Sequence, residues 1–160
     1  MLRARRVLLM ASHPPHLAIL GAGPTGLDAA LEAAERGWGF TLYEAASGPA
    51  GNVRSWGHVS LFSPWSIDVS PRMRRALGPR GSELPDGDSC PTGRELAGAL
   101  FDRVAALPAV EPRLALGTRV VAVGREGLLK SEEISTPARA ARPFRLLVVD
   151  AAGRERIDRA

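Results

Sequence analysis

The hydrophobic pattern is most regular between residues 16 and 44. A short apolar run, HLAIL, comes first and is typical of a buried β-strand. After a Gly-rich stretch, apolar residues recur at the i, i+3, i+4, i+7 spacing of one helix face, at Leu27, Ala30, Leu31 and Ala34. Gly37 is placed to end that helix, and Phe40 to Tyr43 predicts a second strand. The pattern therefore predicts a β-α-β unit with parallel strands, which indicates an α/β fold.

The pattern changes after residue 44. Residues 45–91 are rich in Gly, Pro, Ser and Arg and show little periodicity, so we expect loops and short helical turns there. The segment Thr92-Gly-Arg-Glu95 has capping-box spacing, and apolar residues follow at helical intervals up to Leu107, which predicts a helix of about 14 residues. Strands are predicted at 118–123, 144–149 and 155–158, with an exposed loop at 124–143. These last strands predict a small antiparallel β-meander.

Length and composition are those of one globular domain. The chain has 160 residues, of which 45% are hydrophobic and 24% charged. Residues 1–15 begin with arginines and a short apolar run that is too short for an export signal. We therefore expect a disordered leader at 1–15 and one domain at 16–160.

Charge and cysteine content narrow the possible partners. The net charge is +4, but the arginines are spread along the chain and interleaved with acids, which argues against a nucleic-acid partner. No stretch approaches the roughly 18 apolar residues of a membrane span, so we expect no membrane contact and a cytoplasmic location. Cys90 is the only cysteine, and no residues show metal-ligand spacing, so we expect neither a disulfide nor a metal site.

The Gly-rich stretch carries the strongest chemical signal. It reads Gly21-Ala-Gly23-Pro24-Thr25-Gly26 and lies between a predicted strand and a predicted helix. In this pattern the first glycine permits a tight turn, the second lets the backbone approach a pyrophosphate, and the third lets helix and strand pack closely. Pro24 suits the first helical turn, where its missing N–H costs nothing. The helix start would hold phosphates with backbone N–H groups and the helix dipole.

An acidic residue follows at the distance that this motif requires. Glu44 lies 18 positions after Gly26, at the end of the second predicted strand. A carboxylate there would accept hydrogen bonds from the ribose hydroxyls, and its charge would disfavour a 2′-phosphate. The sequence therefore predicts a dinucleotide site for FAD or NAD rather than NADP.

These residues resemble the two-dinucleotide-binding flavoproteins, the superfamily of FAD-dependent pyridine-nucleotide oxidoreductases and flavin-containing monooxygenases. The resemblance is strongest over residues 16–56, in GAGPTGL and YEAASGPAGNVRSW, where Ala50-Gly51 stands for the family's pair of glycines. It implies that Ala45, Gly51 and Asn52 lie in the segment that covers the ribose and pyrophosphate of FAD. It also implies that Arg54 faces a phosphate or ribose.

The resemblance extends, more weakly, to the rest of the chain. LGTRVVAV is similar to the family strand in which a backbone valine pairs with the adenine edge, which makes Val120 the candidate. The implied fold is a Rossmann-like FAD/NAD(P)-binding parallel sheet with an inserted antiparallel β-meander. We expect it to be incomplete at the C-terminus and to be the N-terminal part of a larger flavoprotein that uses NAD(P)H as reductant.

Two other functions remain open at this point. One is an NAD-binding Rossmann dehydrogenase or sensor, which shares the glycine and acid pattern, although the loop-rich segment 45–91 argues against it. The other is a truncated, non-catalytic nucleotide-binding chain. The sequence identifies no catalytic residue and no substrate; His58 has no partner acid at a recognisable spacing. Asp28, in the first turn of the predicted helix, is assigned no role, and we expect the run Arg72, Arg74, Arg75 to be a solvated face.

Overall fold

The parallel sheet expected from the first part of the chain is present. The computed structural model describes residues 16–78, 83–85 and 87–160; the predicted leader at 1–15 lies outside them. Strand β1 (His16–Leu20), helix α1 (Pro24–Glu35) and strand β2 (Gly39–Tyr43) form the β-α-β unit, with Ala18 opposite Thr41 in parallel register. A third parallel strand, β3 (Leu114–Ala115), pairs with the other edge of β2. The sheet order is β1-β2-β3, and the predicted Rossmann-like sheet is confirmed.

Short helices occupy the segment for which the sequence predicts loops and short helical turns. They are α2 (Gly51–Ser55), α3 (Trp65–Asp68) and α4 (Pro71–Ala76). The predicted capping box at Thr92 is confirmed, with both of its reciprocal hydrogen bonds formed. It opens a helical run made of α5 (Gly93–Leu96), a π-helical turn (Ala97–Phe101) and α6 (Asp102–Ala105). A 3₁₀ turn (Glu111–Arg113) leads into β3.

The last part of the chain forms the predicted meander. Strands β4 (Arg119–Arg125), β5 (Phe144–Val149) and β6 (Glu155–Arg159) pair in that order, both pairs antiparallel. The loop between β4 and β5 contains a short helix, α7 (Pro137–Ala141), which begins at a Thr136 cap. Among the described residues, no helix is long and apolar enough to cross a membrane.

The main core lies between the parallel sheet and the helices. Its members are apolar side chains without appreciable exposure, among them Leu27, Leu42, Met73, Leu100 and Phe101. A second, smaller cluster joins Tyr43 to Leu146 and Val148 of β5. In the described part of the chain, β1 pairs on one edge only, and beside it lies an apolar cleft of about 370 Å³ that includes Leu20, Val123 and Phe144.

A polar contact joins the two sheets next to the Gly-rich stretch. The hydroxyl of Tyr43, the last residue of β2, donates to Asp158 Oδ2 on β6 at 2.9 Å. Burial, followed by the hydrogen bond and charge of Asp158, raises the pKa of Tyr43 to about 12. Burial alone would raise the pKa of Asp158, but hydrogen bonds from Arg156 and Tyr43 lower it overall. The residue before Glu44 is thus held by the meander.

This contact can be titrated because Tyr43 is the only tyrosine. We expect the phenolate absorbance of the folded protein to titrate at a pKa of about 12 instead of the ordinary 10. Asp158→Asn should lower that pKa, although burial will keep it above 10. Because the folded-state pKa is raised, the contribution of Tyr43 to stability is full below pH 10 and is lost as the pH rises toward 12.

The control for this titration is Glu155→Gln, which removes an exposed carboxylate from the same strand. It should leave the titration of Tyr43 unchanged. A wild-type titration at the ordinary value, in protein that is still folded by circular dichroism, would show that the contact does not form.

Candidate dinucleotide-binding site

The Gly-rich stretch forms the turn between β1 and α1. Gly21 has a φ of +93°, a conformation that side chains disfavour, and its N–H donates to the carbonyl of Tyr43 at 2.7 Å. A Cβ atom on Gly26 would lie 1.8 Å from the carbonyl oxygen of Gly21. Helix and turn are therefore packed so closely that position 26 accepts no side chain.

The start of α1 is open to ligand. Gly23 is the N-cap, makes no side-chain capping bond, and is followed by Pro24 in the first turn. The first N–H groups of a helix have no partner within the helix, so those of Thr25 and Gly26 can bind an anion. A Cβ on Gly23 would meet nothing within 4 Å. The protein itself does not fill the space that faces this glycine.

Glu44 joins three segments at the end of β2. Its Oε2 accepts from the N–H of Ala22 at 2.8 Å, and its Oε1 accepts from the N–H of Ala46 at 2.9 Å. Its backbone pairs with Ala115 and Thr118. The side chain is only 9% exposed. Each carboxylate oxygen has a further lone pair, so Glu44 can hold the Gly-rich turn and still accept from a hydroxyl.

The segment after Glu44 forms the opposite wall. Ala50 donates its N–H to the carbonyl of Ala22 at 2.8 Å, which ties this segment to the Gly-rich turn. A Cβ on Gly51 would lie 2.3 Å from the Cβ of Ala46 and 3.3 Å from Oε1 of Glu44. Gly51 is thus required by close packing against the turn that Glu44 caps.

Ala50 stands in a conformation that favours glycine. As the N-cap of α2 it has φ 56° and ψ 37°, in the left-handed region. This explains why a pair of glycines is typical at this place in the flavoproteins that the sequence resembles. Ala50 is also buried, so its methyl group contributes packing that offsets part of the strain.

We therefore expect Ala50→Gly to change the free energy of unfolding by no more than about 0.5 kcal/mol, because relief of strain balances the lost methyl contact. The matched control is Ala33→Gly, at an equally buried alanine inside α1, which should cost about 1–2 kcal/mol. Urea unfolding followed by tryptophan fluorescence measures both. Equal losses in the two variants would mean that Ala50 is unstrained.

These elements enclose a cavity of about 360 Å³. Eight of the predicted site residues line it: Gly21, Gly23, Pro24, Thr25, Gly26, Glu44, Gly51 and Asn52. The remaining lining residues are Leu20, Ala50 and Val53. The sequence had placed Ala50 in the family's glycine pair but had not singled out Leu20 or Val53. Leu20 directly precedes the first glycine, and that adjacency was the available signal for it.

Two predicted residues line a smaller, adjoining cavity. Ala45 and Val120 surround about 170 Å³ of space that shares Leu20, Gly21 and Glu44 with the larger cavity. Arg119 also lines it and was missed, because an isolated arginine in a strand carries no sequence signal. The predicted roles of Ala45 and Val120 toward a cofactor stay predictions.

Arg54 lies outside the lining of both cavities. Its guanidinium pairs with Asp102 at the start of α6, and its Nε donates to the carbonyl of Pro49 at 2.9 Å. Contact with a phosphate would require this side chain to leave Asp102. Its role as a cofactor ligand stays a prediction.

The expected solvated face on α4 is instead a contact between helices. Arg72 pairs with Asp28, Glu32 and Glu35 of α1. The Ser70 hydroxyl also donates to Asp28 at 2.5 Å, so Asp28 does not simply point to solvent. The expectation of a solvated face was wrong for Arg72 because its pairing depends on how α1 and α4 pack. His58 is exposed, and among the described residues no cluster could hold a metal ion.

Comparison with known proteins agrees with this geometry. Residues 19–81 match the family model of the NAD(P)-binding Rossmann-like domain. The chain is 37% identical over 68 residues to an L-amino-acid oxidase of Daboia russelii, and 39% identical over 62 residues to a probable FAD-dependent monooxygenase of Arthroderma benhamiae. These matches cover 42% and 39% of the chain but 13% and 14% of the relatives.

A solved structure shows the same fold over nearly the whole chain. The bacillithiol disulfide reductase Bdr from Bacillus cereus superposes with a TM-score of 0.62 at 17% identity, covering 91% of this chain and 37% of the reductase. The superposition shows a Rossmann-like fold, and the part of the chain that matches the NAD(P)-binding family model contains the Gly-rich turn and Glu44. The predicted similarity to FAD/NAD(P)-binding flavoprotein oxidoreductases is confirmed.

Proposed function

We propose that this chain is the FAD-binding part of an NAD(P)H-dependent flavoprotein oxidoreductase. The whole protein would have a monooxygenase-like or related activity. One observation carries the proposal. The open helix start at Gly23 and the carboxylate of Glu44 line one cavity, as a phosphate site and a ribose site must. The similarity of the chain to an FAD-dependent monooxygenase and an amino-acid oxidase supports FAD as the dinucleotide.

The residues present fit such a cofactor. Side chains are excluded at Gly26 and Gly51 by packing, whereas Gly23 faces space that the chain leaves open. The N–H groups at the start of α1 would hold the pyrophosphate, and Glu44 would hold the ribose while remaining bonded to Ala22. When bound, the flavin supplies a group that accepts hydride from reduced nicotinamide.

This chain would contribute binding and orientation. Glu44 fixes both the turn and the ribose, so it would set the position of the cofactor along the sheet. Its negative charge would disfavour a 2′-phosphate at the same place. We assign no catalytic residue and no substrate, and we expect the protein to work in the cytoplasm without nucleic acid.

The test is titration of the full chain with FAD and, separately, with NADH, together with the flavin absorbance of the purified protein after desalting. We expect saturable binding that is tighter for FAD. Tighter binding of NADH would instead favour the NAD-binding dehydrogenase or sensor. Folded protein that binds neither would overturn a dinucleotide function.

Gly23→Ala locates the binding site. The added methyl group projects into open space, so the fold is kept, but it should hinder the approach of the pyrophosphate and weaken FAD binding about tenfold or more. Gly48→Ala also adds a methyl group in open space, at a residue that does not line the cavity, and should leave the affinity unchanged. Equal FAD affinity in both variants would place the cofactor elsewhere.

A further inference from the structure

A second cavity lies on the meander, away from the Gly-rich turn. It encloses about 700 Å³ between β4, the start of β5 and the loop that joins them. It shares no lining residue with the cavity at Glu44. Its size falls within the range of small-molecule sites in proteins, roughly 300–1,000 Å³.

The walls of this cavity combine apolar side chains with positive charge. The apolar members are Val123, Leu128, Leu129 and Phe144, and the cations are Arg125, Lys130 and Arg139. Leu129 is 69% exposed and Val123 is 52% exposed, so the cavity brings exposed apolar side chains together. Gly124 adds no side chain, and a Cβ there would meet nothing within 4 Å.

The two arginines are held in place by carbonyl groups and an aromatic ring, without carboxylates. The guanidinium of Arg125 lies 3.7 Å from the ring centroid of Phe144 and donates to the carbonyl of Arg142. Arg139 donates to the carbonyls of Leu129 and Glu132 at 3.2 and 2.6 Å. In the described part of the chain, no carboxylate forms an ion pair with either arginine or with Lys130.

Within the described residues, none of these cations forms an ion pair with the acids nearest along the chain, Glu126, Glu132 and Glu133. Glu126 pairs with Arg159, and one carboxylate oxygen of Glu132 accepts from the N–H of Leu129 at 2.8 Å. Lys130 forms neither a hydrogen bond nor an ion pair with any described residue. The carboxylate of Glu132 stays negatively charged beside Leu129, but the three cations outnumber it, so the cavity presents net positive charge beside exposed apolar surface.

We infer that this cavity binds a small organic acid with a flat apolar body, such as an aromatic carboxylate. The apolar body would cover Leu129, Val123 and the edge of Phe144, and the carboxylate would meet Lys130 and the free N–H groups of the arginines. The site is independent of the proposed dinucleotide site and requires no cofactor.

The probe is 2-naphthoate, with the neutral 2-naphthamide as its matched analogue, titrated calorimetrically into the full chain. We expect saturable binding of the acid, about tenfold weaker binding of the amide, and weaker binding of the acid at high salt. Added FAD should not change the affinity for naphthoate, because the two cavities share no lining residue.

Two exposed residues provide variants that keep the fold. Lys130→Gln should weaken binding of naphthoate about tenfold, and Leu129→Ser about fivefold, since one removes charge and the other apolar contact. Arg94→Gln removes the same charge at an exposed position outside the cavity and should have no effect. Absence of saturable binding, equal affinity for acid and amide, or an equal effect of Arg94→Gln and Lys130→Gln would each overturn the inference.

Discussion

Replacing Gly26 with alanine should lower the free energy of unfolding by about 3 kcal/mol or more. The new methyl carbon would lie 1.8 Å from the carbonyl oxygen of Gly21 and 3.5 Å from the side chain of Leu42. The carbonyl belongs to a turn that is bonded to the end of β2, so it cannot move aside without breaking that bond. Helix α1 would have to separate from the sheet. Urea unfolding, followed by the fluorescence of the three tryptophans, measures the loss.

Gly23→Ala is the matched control for that variant. It adds the same methyl group three residues earlier, where nothing lies within 4 Å. Its cost should be about 0.5 kcal/mol, as expected for alanine in place of glycine at an N-cap. Gly26→Ala thus tests how the turn contributes to stability, whereas Gly23→Ala tests how the same turn contributes to FAD binding. Equal stability of both variants would show that Gly26 of α1 is not packed against the carbonyl of Gly21.

Replacing Glu44 with alanine should have the second largest effect, about 3 kcal/mol of stability. The change leaves the N–H groups of Ala22 and Ala46 without their acceptor, and Ala22 is fully buried. Binding of FAD should also weaken by about tenfold or more, through loss of the ribose contact and of the ordered turn. Unfolding and FAD titration of the same preparation measure the two effects.

Glu44→Gln distinguishes the two roles of this side chain. The amide keeps one acceptor oxygen, so it can hold one of the two N–H groups, and the loss of stability should be about half that of the alanine variant. Without the negative charge, discrimination between NADH and NADPH should narrow. Full stability in the alanine variant would mean that water replaces the carboxylate and that Glu44 does not organise the turn.

The sequence was sufficient to predict the Gly-rich turn because the residues that shape this turn all lie within one β-α-β unit. Close approach at Gly26, the helix face that begins at Leu27, and the position of Glu44 all follow from short-range spacing along one β-α-β unit. Strand β3 could not be predicted because it has only two residues, Leu114–Ala115, and forms through pairing with β2. A strand of that length has no periodicity of its own.

Two arginines have contacts that the sequence did not predict, because their partners are far away along the chain. Arg72 is 44 residues from Asp28, and Arg54 is 48 residues from Asp102. Each arginine meets an acid on another helix. The run of arginines in the sequence suggested solvent for Arg72, and the family resemblance suggested a phosphate or ribose for Arg54. Only the packing of α4 on α1, and of α2 near α6, provides these partners.

Within residues 16–78, 83–85 and 87–160, β1 has an open edge, which bears on how the protein behaves at high concentration. A strand that pairs on one side presents a row of N–H and C=O groups to any other extended chain, and the apolar cleft beside Leu20 adds an attractive surface to that row. In the cell, such an edge is also a surface that chaperones and proteases recognise when nothing covers it. Any strand that pairs with β1 and covers Leu20 would remove this surface.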